Sequence, residues 1–333
     1  MKINHFQRKP VSARYFSIEN SFDAARQEMI SAGYDVKVSI CKYISQGLLP
    51  RIYNTFEAAF RQTDINHITG DVHYINLFLN KSKSILTIHD CVFLKHPSPL
   101  ARSVLKYFWL TLPAMRSAYI TCISEATKNE ILSNIKYPED RIKVIPTVVK
   151  EDLFKFSTKE FNILEPVILH IGTTPNKNIE RVAAALKGIP CTLQIIGPLD
   201  EKQKQCLTFN GIHYINEKGI TNERIAVKYK EADIVLFAST YEGFGMPILE
   251  GQLTGRPVIT SNISPMNEVA GDSALFVDPF DITSIRKGVL DLISNPGLRA
   301  DLIEKGKANT ARFSAKKIAG MYIDLYKTIS EKS

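Results

Sequence analysis

The sequence predicts an α/β protein built on parallel, doubly wound sheets, and two observations support that fold class. Short apolar runs of strand length recur through the second half of the chain: VILHIG (167–172), CTLQIIG (191–197), IVLFAS (234–239) and PVITS (257–261). Segments with helical spacing alternate with these runs, at 177–187, 222–231, 247–253 and 282–294. Strands that are apolar along their whole length are buried on both faces, as in a parallel sheet covered by helices.

In the first half, strands and helices are predicted to alternate in the same way, but the boundaries between them are less distinct. Its predicted elements are a helix over 21–33, strands over 35–40, 84–90, 118–124 and 141–146, and a helix capped by Ser124. A chain of 333 residues suits two domains of about 150 residues each. The boundary is expected in the polar stretch 146–163, which gives domains over 1–150 and 151–313. Residues 314–333 have helical spacing and are expected to pack back on the first domain.

The net charge of +8 lies entirely in the first half. Residues 1–150 hold 20 Lys and Arg against 12 Asp and Glu, whereas residues 151–333 hold 22 of each. A basic domain beside a neutral one indicates an anionic partner, such as a phospholipid surface or a pyrophosphate-linked acceptor. No arginine-rich run supports nucleic acid as that partner, and solubility alone is the competing explanation.

Cysteine usage and hydropathy indicate a cytoplasmic protein. The five cysteines are single, far apart and odd in number, which disfavours a disulfide framework or a CxxC metal site. No apolar run approaches the roughly 18–20 residues of a membrane-spanning helix, and the N-terminus lacks the apolar stretch of a secretory signal. Any contact with the cytoplasmic membrane is therefore expected to be peripheral. Its first candidate is 101–116, which mixes aromatic and basic side chains, although an ordinary amphipathic helix would look the same.

The stretch YEGFGMPILEGQLTGRPVIT carries the strongest chemical signal. Glu242 follows a buried strand, and the two glycines after it let the backbone approach a ligand. A helix that starts at Pro247 would aim its free N–H groups and the positive end of its dipole at the loop, which suits a pyrophosphate. Glu250 and Glu242 would bracket this pocket and accept hydrogen bonds from sugar or ribose hydroxyls. The alternative is a plain strand–helix turn.

A second strand–turn–helix element, HIGTTPNKNIERV (170–182), repeats this arrangement. Lys177 would stand at the start of the helix as a point charge, and Asn178 can cap the helix or hold the loop. A cation is mildly unfavourable in the first turn of a helix, so an anionic ligand explains Lys177 better than a surface position does.

These two elements together resemble the group 1 retaining glycosyltransferases of the GT-B fold. The residues that carry the resemblance are Gly172-x-x-x-x-Lys177-Asn178, Tyr241-Glu242-Gly243-Phe244-Gly245-Met246-Pro247-x-x-Glu250 and the continuation 255–281. In the first half, ILTIHD (85–90) and ITCISEATKNEI (120–131) are similar to members from bacterial surface-polysaccharide clusters. The resemblance implies an α/β architecture of two Rossmann-like, doubly wound domains that face each other across a cleft.

By that resemblance the donor is a nucleotide diphosphate sugar, with UDP expected before GDP. Glu242 would contact the transferred sugar, Glu250 the ribose, and Lys177 the departing diphosphate. His89 of the first domain would approach the donor sugar, so the implied catalytic residues are His89, Lys177 and Glu242. The implied donor-binding residues are Gly172, Thr173, Thr174, Asn178, Gly197, Ile220, Gly243, Phe244, Gly245, Met246, Pro247 and Glu250.

Two departures from the family's pattern bear on phosphate and acceptor binding. Thr173 and Thr174 stand where many members have an arginine, so phosphate binding would rest more on Lys177 and backbone amides. The glycine-rich acceptor loop of many members is also missing from the N-terminal region. The acceptor, a glycan or a lipid-linked sugar, would instead meet Arg14, Ser17, His73 and Asp90.

The resemblance implies a retaining hexosyltransferase, and the chain is expected to need no cofactor and no divalent metal. No Asp-x-Asp occurs in the sequence, so lysine and a helix N-terminus would stabilise the leaving group. His67, Asp71 and His73 have weak spacing for a metal and are interpreted as a polar loop. The alternatives are a nucleotide-sugar-binding or scaffold protein, a nucleotide-sugar epimerase, and a phosphorylase that would need pyridoxal phosphate. A dehydrogenase is set aside because G-x-G-x-x-G is missing.

Overall fold

A computed structural model describes residues 1–9 and 17–331 of the chain. The chain divides into two compact units. The first unit contains the residues up to Val148 and the segment from Ala315 onwards, and the second unit is Val149–Ser314. The division expected between residues 150 and 151 therefore lies between Val148 and Val149.

The first unit is built around one parallel sheet. Its strands are β1 Lys2–Gln7, β2 Asp35–Ile40, β3 Ile65–Ile68, β4 Ser84–Ile88, β5 Tyr119–Cys122 and β6 Ile142–Val144, in the spatial order β2-β1-β3-β4-β5-β6. Its helices up to Val148 are α1 Ser17–Ser31, α2 Leu48–Phe60, α3 Pro99–Leu105, α4 Leu112–Met115 and α5 Glu125–Asn134. A π-helical segment, Lys106–Thr111, joins α3 to α4. Short 3-10 helices lie at His73–Phe78, Lys81–Lys83, Val92–Lys95 and Glu139–Arg141.

The second unit repeats this design. Its strands are β7 Val167–Ile171, β8 Thr192–Ile196, β9 Tyr214–Glu217, β10 Ile234–Phe237, β11 Val258–Ser261 and β12 Leu275–Val277, in the spatial order β12-β11-β10-β7-β8-β9. Its helices are α6 Ile179–Leu186, α7 Glu201–Phe209, α8 Asn222–Glu231, α9 Met246–Leu253, α10 Met266–Ala270, α11 Ile282–Ser294 and α12 Pro296–Thr310. Two 3-10 helices, Pro175–Lys177 and Ala311–Phe313, complete it. All strand pairs in both sheets are parallel.

Apolar strands hold the centre of the second unit, as the sequence predicts. Residues of β7, β8, β10 and β11 form one buried cluster with the inward faces of α6 and α11. On α6, buried Ile179, Val182, Ala183 and Leu186 recur at helical spacing on one side. The predicted helices 222–231 and 282–294 match α8 and α11 in both bounds. The α/β fold class is therefore confirmed, with two six-stranded parallel sheets.

The last helix, α13 Ala315–Ser330, belongs to the first unit. Its apolar face, which includes Ile318, Tyr322 and Tyr326, is buried against Ile3 and Met29 of the first unit. The hydroxyl of Tyr326 lies in a buried polar cluster with His5 and His67 under the helix. Helical spacing in the final segment therefore does correspond to a helix that completes the core of the first unit.

The stretch 101–116 spans α3, the π-helical segment and α4 rather than one regular helix. Leu110, Pro113 and Ala114 are buried, and Trp109 packs on the core cluster of the first unit. Tyr107 and Phe108 are exposed. The segment thus covers the core with one side and leaves aromatic side chains on the other.

Candidate functional site

The strand order of the second unit reverses between β7 and β10. The chain proceeds outward from β7 to β9 on one side and from β10 to β12 on the other. In open α/β sheets, ligands bind outside the carboxyl ends of the strands at such a switch point. The loops that leave β7 and β10 contain the two motif segments, 170–182 and 241–260, so topology and motif indicate the same place.

The loop after β7 is shaped by close packing of a lysine on a glycine. Gly172 has a φ of +91°, and a Cβ at this position would lie 2.8 Å from Cε of Lys177. Lys177 ends a 3-10 helix, and α6 begins at Ile179. The prediction that Lys177 starts the helix is therefore wrong. Asn178 interrupts the helical path, because its φ of +67° places it in the left-handed region.

Asn178 holds this loop rather than capping α6 with its side chain. Its Nδ2 donates to the carbonyl oxygens of Ala238, at 3.0 Å, and Pro279, at 2.7 Å. Its Oδ1 accepts from Arg181 at 2.9 Å, and the residue is buried. Among the residues that the structure describes, Asn178 is the only non-glycine residue with a positive φ. The amide thus joins three separate loops at the carboxyl edge of the sheet.

The loop after β10 leads into α9 through a glycine. Gly245 has a φ of +117°, and α9 begins at the next residue, Met246, with Pro247 in its first turn. Phe244 is buried with its ring 5.7 Å from that of Phe313. The N-terminus of a helix suits an anion, although here Pro247 has no N–H and the N–H of Ile248 donates to the carbonyl oxygen of Gly245 at 3.0 Å. Gly243 precedes Phe244 in this loop and is half-buried.

A lysine–glutamate pair joins the two loops. Nζ of Lys177 lies 2.6 Å from Oε1 of Glu242, and both side chains are largely buried. Nδ2 of Asn176 donates to the same carboxylate oxygen at 3.1 Å and to the carbonyl oxygen of Tyr241 at 2.8 Å. The ammonium of Lys177 also lies 4.7 Å from the centre of the Phe237 ring. These contacts fix a positive and a negative group side by side at the switch point.

Glu250 sits one turn into α9 and is tied to α8. The hydroxyl of Tyr229, which is completely buried, donates a 2.6 Å hydrogen bond to Oε2 of Glu250. Burial raises the pKa of Glu250 to about 7, although this hydrogen bond and the charges of Lys150 and Lys177 act in the opposite direction. Its carboxyl group therefore exchanges a proton near neutral pH, and a cationic or hydrogen-bonding ligand would favour the ionised form.

The remaining donor-side residues line the ends of β7 and β8. Oγ1 of Thr173 donates to the carbonyl oxygen of Pro198 at 2.7 Å, and Thr174 donates to Asn176 at 2.7 Å. Gly197 has a φ of +144°, and a Cβ there would lie 2.8 Å from Thr173. Ile220 is half-buried in the segment between β9 and α8. Both threonine hydroxyls therefore hold the loop itself.

Three residues that contribute to the second unit's site were missed from the sequence. Asn176 orients Glu242, Phe237 lies against Lys177, and Tyr229 binds Glu250. Asn176 stands inside the motif and could have been found there as a donor next to the lysine. Phe237 lies in a strand and Tyr229 in a helix, and neither element contains a motif that predicts a functional site.

The first-unit candidates lie at the carboxyl ends of other strands. His89 and Asp90 follow β4 and are half-buried. Nε2 of His89 lies 3.0 Å from the carbonyl oxygen of Thr69, and Oδ1 of Asp90 accepts from the N–H of Val92 at 3.0 Å. Burial lowers the pKa of His89, so the imidazole is neutral at pH 7.

The polar-loop interpretation of His67 and His73 is wrong. His67 lies in the buried strand β3, where Nε2 is 2.7 Å from Oγ1 of Thr87. His73 is buried in a 3-10 helix, and its Nδ1 lies 2.6 Å from the carbonyl oxygen of Trp109. Only Nε2 of His73 could therefore contact an acceptor substrate. Arg14 lies outside the described residues. Ser17 begins α1, and the structure does not describe its side chain.

Residues 1–9 and 17–331 contain no cluster of three or more His, Cys, Asp or Glu side chains with a geometry suited to a metal ion. Within the same residues, no helix combines the length and the apolar character that crossing a bilayer requires.

A lysine–carboxylate pair and a helix N-terminus at the switch point of a doubly wound sheet are typical of α/β proteins that bind phosphorylated ligands. Two family models match consecutive parts of the chain. The model for glycosyl transferases group 1 matches residues 154–309, and the model for glycosyltransferase family 4 matches residues 18–153. The chain therefore belongs to the group 1 glycosyltransferases and is a glycosyltransferase of the GT-B fold.

Similar proteins agree with this assignment. O-antigen chain mannosyltransferase B of Escherichia coli is 26% identical over 269 residues, which cover 74% of this chain and 71% of that protein. O-antigen chain mannosyltransferase RfbU of Salmonella typhimurium is 25% identical over 259 residues, covering 72% and 67%. Among solved structures, sucrose-phosphate synthase of Thermosynechococcus elongatus superimposes with a TM-score of 0.79 at 16% identity over the whole of both chains. Anabaena HepE in complex with UDP and glucose gives 0.75 at 15% identity, covering 98% of this chain and 100% of that one.

Proposed function

We propose that this glycosyltransferase transfers a hexose, with retention of anomeric configuration and without a divalent metal, from a nucleotide diphosphate sugar to a glycan or lipid-linked acceptor. The nucleotide is UDP or, as the second choice, GDP. Mannose is the leading hexose, because the relatives from Escherichia coli and Salmonella typhimurium are named as O-antigen mannosyltransferases.

The pair formed by Lys177 and Glu242 at 2.6 Å is the observation that carries the proposal. A diphosphate bound at the start of α9 would share the ammonium of Lys177 with Glu242, so the charge that develops on the leaving group meets a cation already in place. Such preorganised charge is typically the largest single contribution to transition-state stabilisation. Glu242, held by Asn176, would then accept hydrogen bonds from the hydroxyls of the transferred sugar.

Glu250 and the end of β8 would hold the nucleoside. The carboxylate of Glu250 would accept from the ribose hydroxyls while Tyr229 keeps it in place at 2.6 Å. The base would lie against Gly197 and Ile220. One ring nitrogen of neutral His89 is hydrogen-bonded to the carbonyl oxygen of Thr69. We propose that His89 also hydrogen-bonds the donor sugar or assists the acceptor.

The proposed retention and metal independence are assigned to the same groups. Lys177 and the N-terminus of α9 would stabilise the negative charge of the leaving group. A bound metal has this role in other transferases. Neither Glu242, which is paired with Lys177, nor Glu250, which is bonded to Tyr229, is free to attack the anomeric carbon. Front-side attack of the acceptor within an ion pair is therefore the proposed route to retention.

Thermal unfolding with nucleotides tests donor binding. The melting temperature is measured with UDP, GDP, ADP and CMP, each in Mg²⁺ and in EDTA. A nucleotide at about 100 times its Kd stabilises the folded state by about 2.7 kcal/mol. We expect a shift with UDP or GDP that survives EDTA, and a shift that needs Mg²⁺ would contradict metal independence.

Product analysis tests the reaction itself. UDP- and GDP-linked glucose and mannose are supplied with membrane lipid extract as the acceptor source, and the anomeric configuration of the product is read by NMR. We expect a product with the configuration of the donor. Nucleotide binding without turnover on any donor would favour a nucleotide-sugar-binding protein instead, and an inverted product would contradict the mechanism.

A further inference from the structure

Helix α2 is amphipathic in the reverse of the usual sense. The side chains that it buries are Asn54, Thr55 and Ala58, of which two are polar. Asn54 exchanges hydrogen bonds with the backbone of Tyr43 and donates to the hydroxyl of Tyr74. A helix on the surface of a protein in water normally turns its apolar stripe to the core and its polar face outward.

The exposed face of α2 is apolar. At about 100° per residue, the six large apolar side chains on that face fall within an arc of about 140°. They are Leu48, Leu49, Ile52, Tyr53, Phe56 and Phe60. Phe60 is 89% exposed and Leu49 is 78% exposed. We call these six side chains the α2 apolar face.

Neighbouring aromatic residues extend this surface. The ring of exposed Phe78 lies 4.9 Å from that of Phe56, and the ring of Tyr43 lies 4.9 Å from that of Tyr53. Contiguous apolar patches of this kind mark sites that something apolar covers, whereas single exposed apolar residues need no explanation.

The surroundings of the α2 apolar face are basic. Residues 35–64 contain four basic residues, Lys37, Lys42, Arg51 and Arg61, and three acidic residues, Asp35, Glu57 and Asp64. The carboxylate of Glu57 already accepts from Arg61 at 2.7 Å. Nζ of Lys42 lies 5.3 Å from the centre of the Tyr53 ring. The 3-10 helix next to the C-terminal end of α2 adds Lys81 and Lys83, because the N–H of Asn80 donates to Gln62.

We propose that the α2 apolar face docks on the surface of an anionic phospholipid bilayer. The apolar side chains would enter the boundary between headgroups and acyl chains, and the flanking lysines and arginines would meet the lipid phosphates. A second copy of the chain fits this surface less well. Two identical faces brought together would oppose their cations, because six basic residues stand against three acidic ones in residues 35–64 together with Lys81 and Lys83.

The α2 apolar face, and not 101–116, is thus the proposed membrane contact, whether or not the proposed sugar transfer holds. Phosphate recognition alone would need only the cations. The combination of an outward apolar helix face with a basic margin is what favours a bilayer over soluble phosphate or an acidic protein.

Vesicle flotation with the full chain tests the proposal. Phosphatidylglycerol vesicles and phosphatidylcholine vesicles are compared, and binding to the anionic vesicles is expected to be the stronger. The variant Phe56→Ser/Phe60→Ser should reduce that binding about tenfold or more, because two aromatic side chains leave the lipid interface. Phe60→Ser alone, which removes a side chain with almost no packing, should show a smaller loss in the same direction.

Two control variants test whether vesicle binding depends on α2 in particular. Phe209→Ser removes a phenylalanine that is 82% exposed in the second unit and should leave vesicle binding unchanged. Tyr107→Ser/Phe108→Ser removes the exposed aromatic pair of the 101–116 segment and should change binding less than the α2 variant does. Loss of binding in that pair with normal binding in the α2 variant would overturn the placement.

Two outcomes would overturn the proposal as a whole. The first is failure of the unmodified chain to float with phosphatidylglycerol vesicles. The second is a dimer in analytical ultracentrifugation that Phe60→Ser dissociates, together with no vesicle binding, because the α2 apolar face would then bind a second copy. Each result is independent of the nucleotide and product assays, so failure here leaves the transferase reaction intact.

Discussion

Lys177 and Glu242 are 65 residues apart in sequence, yet Nζ of the lysine donates a 2.6 Å hydrogen bond to Oε1 of the glutamate. The pair links the loop that leaves β7 to the loop that leaves β10. Only 16% of the lysine side chain and 14% of the glutamate side chain are exposed. Each charge therefore depends on the other for compensation, and loss of either one leaves a partly buried ion without its partner.

Removing either member of this pair should lower turnover. For Lys177→Ala and for Glu242→Ala we expect kcat to fall at least about 10²-fold, because each residue would act on charge that develops in the transition state. The measurement is steady-state kcat and KM with the donor that the thermal assay identifies. Lys204→Ala, which breaks an exposed pair with Glu201 on α7, is the matched control and should retain normal turnover. Near-normal kcat in both site variants would disprove the assignment.

Gly172 should be sensitive to substitution because of Lys177 rather than because of its backbone alone. Gly172→Ala places a Cβ 2.8 Å from Cε of Lys177, whereas Gly188→Ala at a φ of +73° meets nothing within 4 Å. Both substitutions should cost about 1–2 kcal/mol of stability, since both residues have a positive φ. Only Gly172→Ala should also weaken nucleotide binding, because the lysine side chain must move.

Urea denaturation and nucleotide-induced shifts in melting temperature separate these two effects. Equal loss of nucleotide affinity in Gly172→Ala and Gly188→Ala would mean that backbone strain, and not the position of Lys177, decides binding. Normal affinity in both variants would mean that the lysine tolerates displacement.

The sequence predicted the apolar strands and the two motif loops of the second unit because these depend on local signals. A continuous apolar run such as Ile234–Phe237 has few alternatives to a buried parallel strand. The left-handed Asn178 and the delayed start of α6 were not predicted. They depend on hydrogen bonds to Ala238 and Pro279, which lie far away in sequence.

The first unit was harder to predict because it buries polar residues in its sheet. Strand β1 contains Asn4 and His5, which are buried. Asn4 donates to the carbonyl oxygen of Arg61, and His5 lies 3.0 Å from the hydroxyl of Tyr326. These partners come from the end of α2 and from the last helix, so no short window of sequence shows where the polar side chains find them. The pairing of Tyr229 with Glu250 escaped prediction for the same reason.

The stability of the protein should depend on pH through Glu250. Burial raises its pKa from an ordinary value of 4.5 to about 7. Between these values the folded protein retains a proton that the unfolded chain has released, so this residue makes the free energy of unfolding fall as pH rises. Glu250→Gln removes the effect and should therefore gain stability relative to the unmodified protein between pH 5 and pH 8.

Thermal unfolding of both proteins at several pH values provides the measurement. Glu304→Gln, which alters an exposed glutamate on α12, should show no such change in relative stability. A constant difference in melting temperature between Glu250→Gln and the unmodified protein across this range would contradict the raised pKa.

The buried polar cluster under α13 should be a main anchor of that helix. The hydroxyl of Tyr326 lies 2.6 Å from Nδ1 of His67 and 3.0 Å from Nε2 of His5, and all three residues are completely buried. Tyr326→Phe keeps the ring but leaves two buried nitrogens without this partner, so the free energy of unfolding should fall by about 1–3 kcal/mol in urea titrations. Tyr107→Phe, at an exposed tyrosine of the same unit, should change it by less than about 0.5 kcal/mol. If the two variants were equally stable, packing of the apolar face of α13 alone would hold the helix, and the cluster would contribute nothing to its attachment.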